Sequence, residues 1–164
     1  MRSATDQLPA IRTTADAIEW AYQQLDRVPY AVLAIPLRLA VATVFWNSAM
    51  TKLADWNAAL SLFEDEYKVP VLPPELAANL AFAIEITTPV LLVFGLLTRF
   101  AALALLGMTA VIEIFVYPQA WPTHIQWAAM LLVLLCRGAG TFSLDYLMQR
   151  LSLHLRGLTP MTEI

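Results

Sequence analysis

Four apolar runs, Ala31 to Thr51, Leu76 to Leu97, Phe100 to Tyr117 and Pro122 to Cys136, divide this chain of 164 residues. Each approaches the length that crosses about 30 Å of hydrocarbon as a helix. Three of them carry one ionisable residue well inside: Arg38, Glu85 and Glu113. A charge at mid-bilayer costs roughly 2.5 to 3.5 kcal/mol unless it finds a partner or water. The strongly apolar residues around Arg38 (Val32, Leu33, Ile35, Leu37, Leu39, Val41, Val44 and Phe45) return only about 0.3 to 0.6 kcal/mol each. Arg38 thus cancels much of its own helix's insertion energy, so the runs are expected to insert together around a polar interior. The fold class this implies is all-α, an integral membrane four-helix bundle. The fourth run is short, but Trp121 and Trp127 at one end and Arg137 at the other mark it as a thin span.

Composition agrees with a lipid environment. Hydrophobic residues make up 59% and charged residues 14%, against about 45 to 50% apolar in soluble domains. A net charge of −3 leaves no basic footprint and excludes nucleic acid as a partner. The single cysteine, Cys136, excludes an internal disulfide or a CxxC redox pair. The first thirty residues mix Arg2, Arg12 and Arg27 with Asp6, Asp16, Glu19 and Asp26 and have no continuous apolar core, so the N-terminal arm is expected to be retained. The expected organisation is an arm over 1–30, the membrane domain over 31–137 and a C-terminal segment over 138–164.

Short amphipathic helices are expected at both termini and in the first outer loop. Thr13 to Asp16 has capping-box spacing, and Ile18, Tyr22 and Leu25 then share a face of a helix over residues 14 to 27. Asp55 can cap a helix bearing Trp56, Leu60, Phe63 and Tyr67 on one side, after which Pro70, Pro73 and Pro74 force extended chain. Gly138 and Gly140 break the fourth helix, and Ser143 can cap another whose Leu144, Leu147, Met148, Leu151 and Leu155 form an apolar stripe. Arg2, Arg12, Arg27, Arg99, Arg137, Arg150 and Arg156 flank one side of the spans and only Lys52 and Lys68 the other, which predicts both termini in the cytoplasm.

Depth counted at about 1.5 Å per residue puts Arg38, Glu85 and Glu113 in neighbouring layers. Arg38, Ala42, Phe45, Ala49 and Lys52 share one helix face, and the alanines allow close approach. Arg38 and Glu85 are expected either to form a structural ion pair or to handle a ligand or proton, while Glu113 has no evident basic partner at its depth. If the two glutamates approach, one is expected to be protonated and able to donate to a carbonyl such as a quinone oxygen. Asn47, Thr87 and Thr88 add polar groups, Pro89 frees a carbonyl near Glu85, and Trp46 is placed to stack on a flat ligand. His124 is expected to be a solvated interfacial histidine, and Trp46, Trp56, Trp121 and Trp127 mostly interface anchors. Cys136, Met130 and Met108 lack metal-ligand spacing, so no metal or haem site is expected, and no dinucleotide loop is present. Thr98 can cap the third helix, Arg99 can bind lipid phosphate or the last carbonyls of helix two, and Asp145 can pair with Arg137 or Arg99.

These residues resemble the DoxX family of small four-helix bacterial membrane proteins from about Leu37 to Asp145. The likeness rests on Arg38, Phe45 and Lys52-Leu53, then Glu85, then the stretch from Gly95 through Thr98-Arg99 to Ala102, and finally the Gly138-x-Gly140-x-x-Ser143-Leu-Asp145 ending. Relatives often carry a histidine late in the third helix, where this chain has Glu113. The resemblance implies a cytoplasmic-membrane protein in a redox or stress-response system. It also implies soluble redox or sulfur-transfer partners, with some relatives linked to metal stress. The leading expectation is therefore a membrane subunit that contacts the lipid bilayer and binds a quinone-like ligand, with no tightly bound cofactor and room for homo-oligomerisation. The alternatives are a non-catalytic scaffold for soluble enzymes and a component of metal-stress or small-solute export. No catalytic residue is assigned.

Overall fold

A computed structural model of the chain describes residues 14–155. Among these residues every regular element is helical: α1 (Thr14–Asp26), α2 (Tyr30–Ala54), α3 (Trp56–Ser61), α4 (Pro74–Phe94), α5 (Thr98–Val111), α6 (Trp121–Arg137) and α7 (Leu144–Leu155). Thr13, Arg2, Arg12 and Arg156, invoked for capping and orientation, lie outside the described residues. Three helical stretches, Tyr30–Ala54, Pro74–Phe94 and Thr98–Val116, are long and apolar enough to cross a membrane. The fourth expected span, α6, is shorter at 17 residues but packs alongside them. Contacts run from α2 to α4, α4 to α5, α5 to α6 and α6 back to α2, closing a ring.

Small side chains let these helices approach. Ala34, Ala42 and Ala49 of α2, Ala78 of α4 and Ala102 of α5 are buried, joined by Val41, Leu92, Leu105, Leu131 and Leu134. Lipid tails are as apolar as leucine, so burial alone drives little association in a bilayer. Close packing of small residues and polar contacts between helices must supply the rest.

At one end of the ring the chain is knotted by its turns. α4 was expected to run to Leu97 but stops at Phe94, because Gly95 takes φ +63° and Leu97 φ +48°, while the apolar residues continue. Leu96 N–H returns to Leu91 O at 2.8 Å, and Gly95 O accepts from Asp145 N–H at 2.9 Å. Gly140, at φ +79°, lies against α2: a methyl there would meet Ala31 Cα at 2.8 Å. Ser143 caps α7 as expected, accepting from Tyr146 N–H at 3.2 Å.

At the opposite end α2 passes into α3, which Asp55 caps by accepting from Ala58 N–H at 2.9 Å. Two helical turns here widen to i→i+5 bonding, over Leu62–Tyr67 and over Ile112–Val116. They close with Lys68 N–H to Phe63 O at 3.3 Å and Tyr117 N–H to Ile112 O at 2.8 Å. Such widened turns concentrate at functional sites. α1 and α7 have no buried residues, and their apolar faces stay uncovered by the rest of the described chain.

Candidate functional site

Between the two widened turns lies a cavity of about 490 Å³ walled by α2, α4, α5, α6 and the stretch from Phe63 to Leu72. Its lining is chiefly apolar, and its polar groups are few: Ser48, Lys52, Tyr67, Glu85, Tyr117 and His124. One acid–base pair, Lys52 and Glu85, stands in this wall, together with the histidine of a second. Lys52 Nζ lies 2.9 Å from Glu85 Oε1 and 2.7 Å from Oε2, and also donates to Ser48 Oγ at 3.0 Å. Ser48 Oγ itself lies 3.1 Å from Glu85 Oε1. His124, also in the lining, has its Nδ1 2.6 Å from Glu113 Oε2, with Glu113 behind the wall. Glu85 and His124 are buried, and the Lys52 side chain is only 14% exposed.

Arg38 and Glu85 therefore do not pair, and the cause is side-chain direction. Helical side chains lean toward the N-terminus of their own helix. Arg38 and Lys52 both lean toward the start of α2, whereas Glu85 on the antiparallel α4 leans the opposite way. Lys52, placed nearer the end of α2, reaches back onto Glu85, while Arg38 leans away and donates through Nη1 to Ala139 O and Phe142 O, each at 3.0 Å. Its Nε is buried without a partner. Arg38 thus serves the turn between α6 and α7 and lies outside the cavity.

Glu113 also has the partner that counting depth missed. Glu113 and His124 flank the short turn joining α5 to α6, and an antiparallel helix pair brings such positions together. Rather than a solvated interfacial group, His124 is buried against Trp127, with ring centroids 5.1 Å apart. Trp127 is also no simple interface anchor, since it packs edge-on against the buried Phe45 at 5.6 Å. Glu85 and Glu113 accordingly each face a base, so the case in which the two glutamates approach each other is not the arrangement found. Trp46 and Asn47 project from the outer face of α2 and do not line the cavity. Thr87 is exposed; Thr88 is buried and bonds back to Ile84 O at 2.7 Å. Pro89 within α4 leaves Glu85 O without its usual helical donor.

The outer rim joins two loops. Tyr117 packs edge-on against Tyr67 at 5.6 Å and donates to Glu66 Oε1 at 2.7 Å, a bond that holds the phenol well above its ordinary pKa. Ser48 carried no sequence signal beyond standing one turn before Lys52, while Tyr67 and Trp127 were marked only as part of an apolar helix face and as an interface anchor. Among the described residues no three His, Cys, Asp or Glu side chains converge as a metal site.

The remaining motif residues meet at the knotted end. Asp145 accepts from Leu97 N–H at 2.7 Å and Thr98 N–H at 2.9 Å, so it caps α5 instead of pairing with an arginine. This corrects the role given to Thr98, whose buried hydroxyl has no partner. Arg99 Nη2 reaches Cys136 O in α6 at 3.3 Å, not the end of α4. Arg137 lies 4.6 Å from the centre of the Tyr30 ring, and Tyr30 Oη donates to Gly138 O at 2.8 Å. Asp145→Ala should destabilise the protein by about 0.5 to 2 kcal/mol, the usual range for a lost N-terminal cap, with Asp145→Asn losing less because its amide oxygen still accepts one of the two N–H groups. Denaturation midpoints of the purified variants in detergent micelles check the order.

A family model described as DoxX matches residues 33–118, which include both acid–base partners of α2 and α4 and Glu113 but not His124. An uncharacterized protein of Haemophilus influenzae is 28% identical over 139 residues, covering 77% of this chain and 90% of the relative. No solved structure matches significantly.

Proposed function

The chain belongs to the DoxX family of membrane proteins, and from that membership we propose that it is the membrane subunit of a bacterial redox or stress-response system whose cavity takes a quinone-like ligand. One observation carries the reading: the Lys52–Glu85 pair and His124, itself backed by Glu113, stand in the wall of an otherwise apolar cavity of about 490 Å³. That volume falls within the roughly 300 to 1,000 Å³ of ordinary ligand sites, which combine apolar walls with a few fixed polar groups. A quinone offers a flat apolar ring and two carbonyl acceptors. Lys52, held in place by Glu85, turns one N–H from Ser48 Oγ to one ligand oxygen. His124 meets the other, with Glu113 on Nδ1 fixing the orientation of the ring. When a soluble redox partner delivers two electrons, the two oxygens take up two protons, given by the Lys52 ammonium and by His124. Protons return to these groups through Glu85 and Glu113, their hydrogen-bonded neighbours.

In this reading α6 completes a four-helix membrane bundle, both termini lie in the cytoplasm, and the cavity faces the outer side of a bacterial cytoplasmic membrane. The knotted end then meets soluble redox or sulfur-transfer proteins. The uncovered apolar faces of α1 and α7, with Leu147, Met148 and Leu151 exposed, favour a second reading, a scaffold that docks such proteins and has no ligand of its own. Titration of the detergent-purified protein with a short-tailed ubiquinone or menaquinone analogue separates the two. Saturable binding is expected, weakened at least about tenfold by Glu85→Gln, equivalent to about 1.4 kcal/mol. Non-saturable uptake, or affinity unchanged by the substitution, overturns the ligand reading in favour of the scaffold.

A further inference from the structure

Gly107 is unlike the other glycines of the bundle. Gly95, Gly138 and Gly140 adopt positive φ, and Gly95 and Gly140 are also tightly crowded. Gly107 has neither property: it lies inside α5, and a methyl group added there would meet no atom within 4 Å. A glycine in a helix interior is destabilising by roughly 0.5 to 1 kcal/mol relative to alanine. Neither backbone conformation nor packing requires one here. What the missing side chain provides is open space, and that space belongs to the cavity, which Gly107 lines.

The space also reaches the outside of the bundle. Leu80 of α4 and Val111 of α5 line the cavity while being 45% and 37% exposed, and Gly107 is exposed as well. Ala81 and Ala104, also in the lining, keep the seam between α4 and α5 thin. Gly107 stands midway along Thr98–Val116, nine residues from either end of that membrane-length stretch. An opening at this level meets hydrocarbon.

Resting on the ligand reading above, we propose that the cavity opens sideways into the bilayer core between α4 and α5 at Gly107. We infer that its ligand is an amphiphile, with a hydrogen-bonding head among Lys52, Glu85 and His124 and a hydrocarbon tail leaving through the seam. A water-soluble ion or sugar has no use for such an exit. A membrane-dissolved molecule with one polar end fits both the polar wall and the apolar door.

Trp127 lines the same cavity and can report on it. In a variant with Trp20, Trp46, Trp56 and Trp121 replaced by phenylalanine, the remaining tryptophan is measured in phosphatidylcholine vesicles with bromines at mid-chain. Acyl tails entering the seam should quench its fluorescence at least twofold relative to unbrominated lipid. Adding Gly107→Phe, or separately Ala104→Phe, should restore at least half of the lost signal, while Gly107→Ala leaves quenching in place. Native elution and helical circular dichroism identify the folded variants, and either phenylalanine variant suffices. No quenching in the parent, or equal quenching in a folded phenylalanine variant, overturns the opening. The readout needs no quinone, so its failure is distinct from that of the titration: a protein that binds the analogue yet shows no quenching keeps its ligand and loses its lateral door.

Discussion

Lys52→Met is expected to destabilise the protein by about 3 to 5 kcal/mol, because it leaves the Glu85 carboxylate buried without its counter-charge. The side chains are 14% and 5% exposed, so water does little to replace the lost ammonium. Ser48 alone remains within hydrogen-bonding reach of the carboxylate. If the loss comes from the stranded charge and not from a missing lysine stem, removing that charge must recover it. Lys52→Met combined with Glu85→Gln should therefore return to within about 1 kcal/mol of the parent, since replacing both members of a buried pair is often close to neutral. Denaturation midpoints of the two variants in mixed micelles decide the matter. A double variant as unstable as the single one would show that Lys52 acts through packing.

The same pair marks where the sequence was and was not legible. Membrane-length runs, the helix break at Gly138, the Asp55 and Ser143 caps and the inward face through Ala42, Phe45, Ala49 and Lys52 all follow from local composition and period, whereas the break at Gly95 was hidden by the apolar residues that continue past it. Pairing does not. Counting depth by residue number ignores the lean of each side chain, and over a lysine or arginine stem that lean exceeds several residues of helical rise. The face assigned to Arg38 already contained Lys52, the group that Glu85 meets, so the missing element was direction and not identity. Glu113 and His124 were legible in principle from their positions about the turn between α5 and α6. The cavity itself was not, because its volume depends on how the stretch from Phe63 to Leu72 folds over the helix ends, where Lys68 and Val71 take positive φ without being glycine. The roles at the knotted end were misassigned for a related reason. Asp145 caps a helix 47 residues away in sequence from Thr98, a long-range partnership that capping patterns do not encode.

At that knotted end, Gly95→Ala is expected to cost about 2 to 5 kcal/mol. A side chain at φ +63° is unfavourable by about 1 to 2 kcal/mol, and crowding a filled site adds about 1 to 3 kcal/mol. The new methyl would fall 2.5 Å from both Arg38 Nη1 and Ser143 Cβ. The guanidinium cannot yield freely, because the same Nη1 holds the carbonyls of Ala139 and Phe142. Ser143 cannot yield without disturbing the cap of α7. Gly107→Ala is the internal control: the same chemical change in an ordinary helix with no neighbour within 4 Å should raise stability by roughly 0.5 to 1 kcal/mol. The two substitutions thus move the denaturation midpoint in opposite directions. A common sign would mean that the close approach of Gly95 to Arg38 relaxes without penalty, and that the family-motif glycine is retained for something other than the turn it makes.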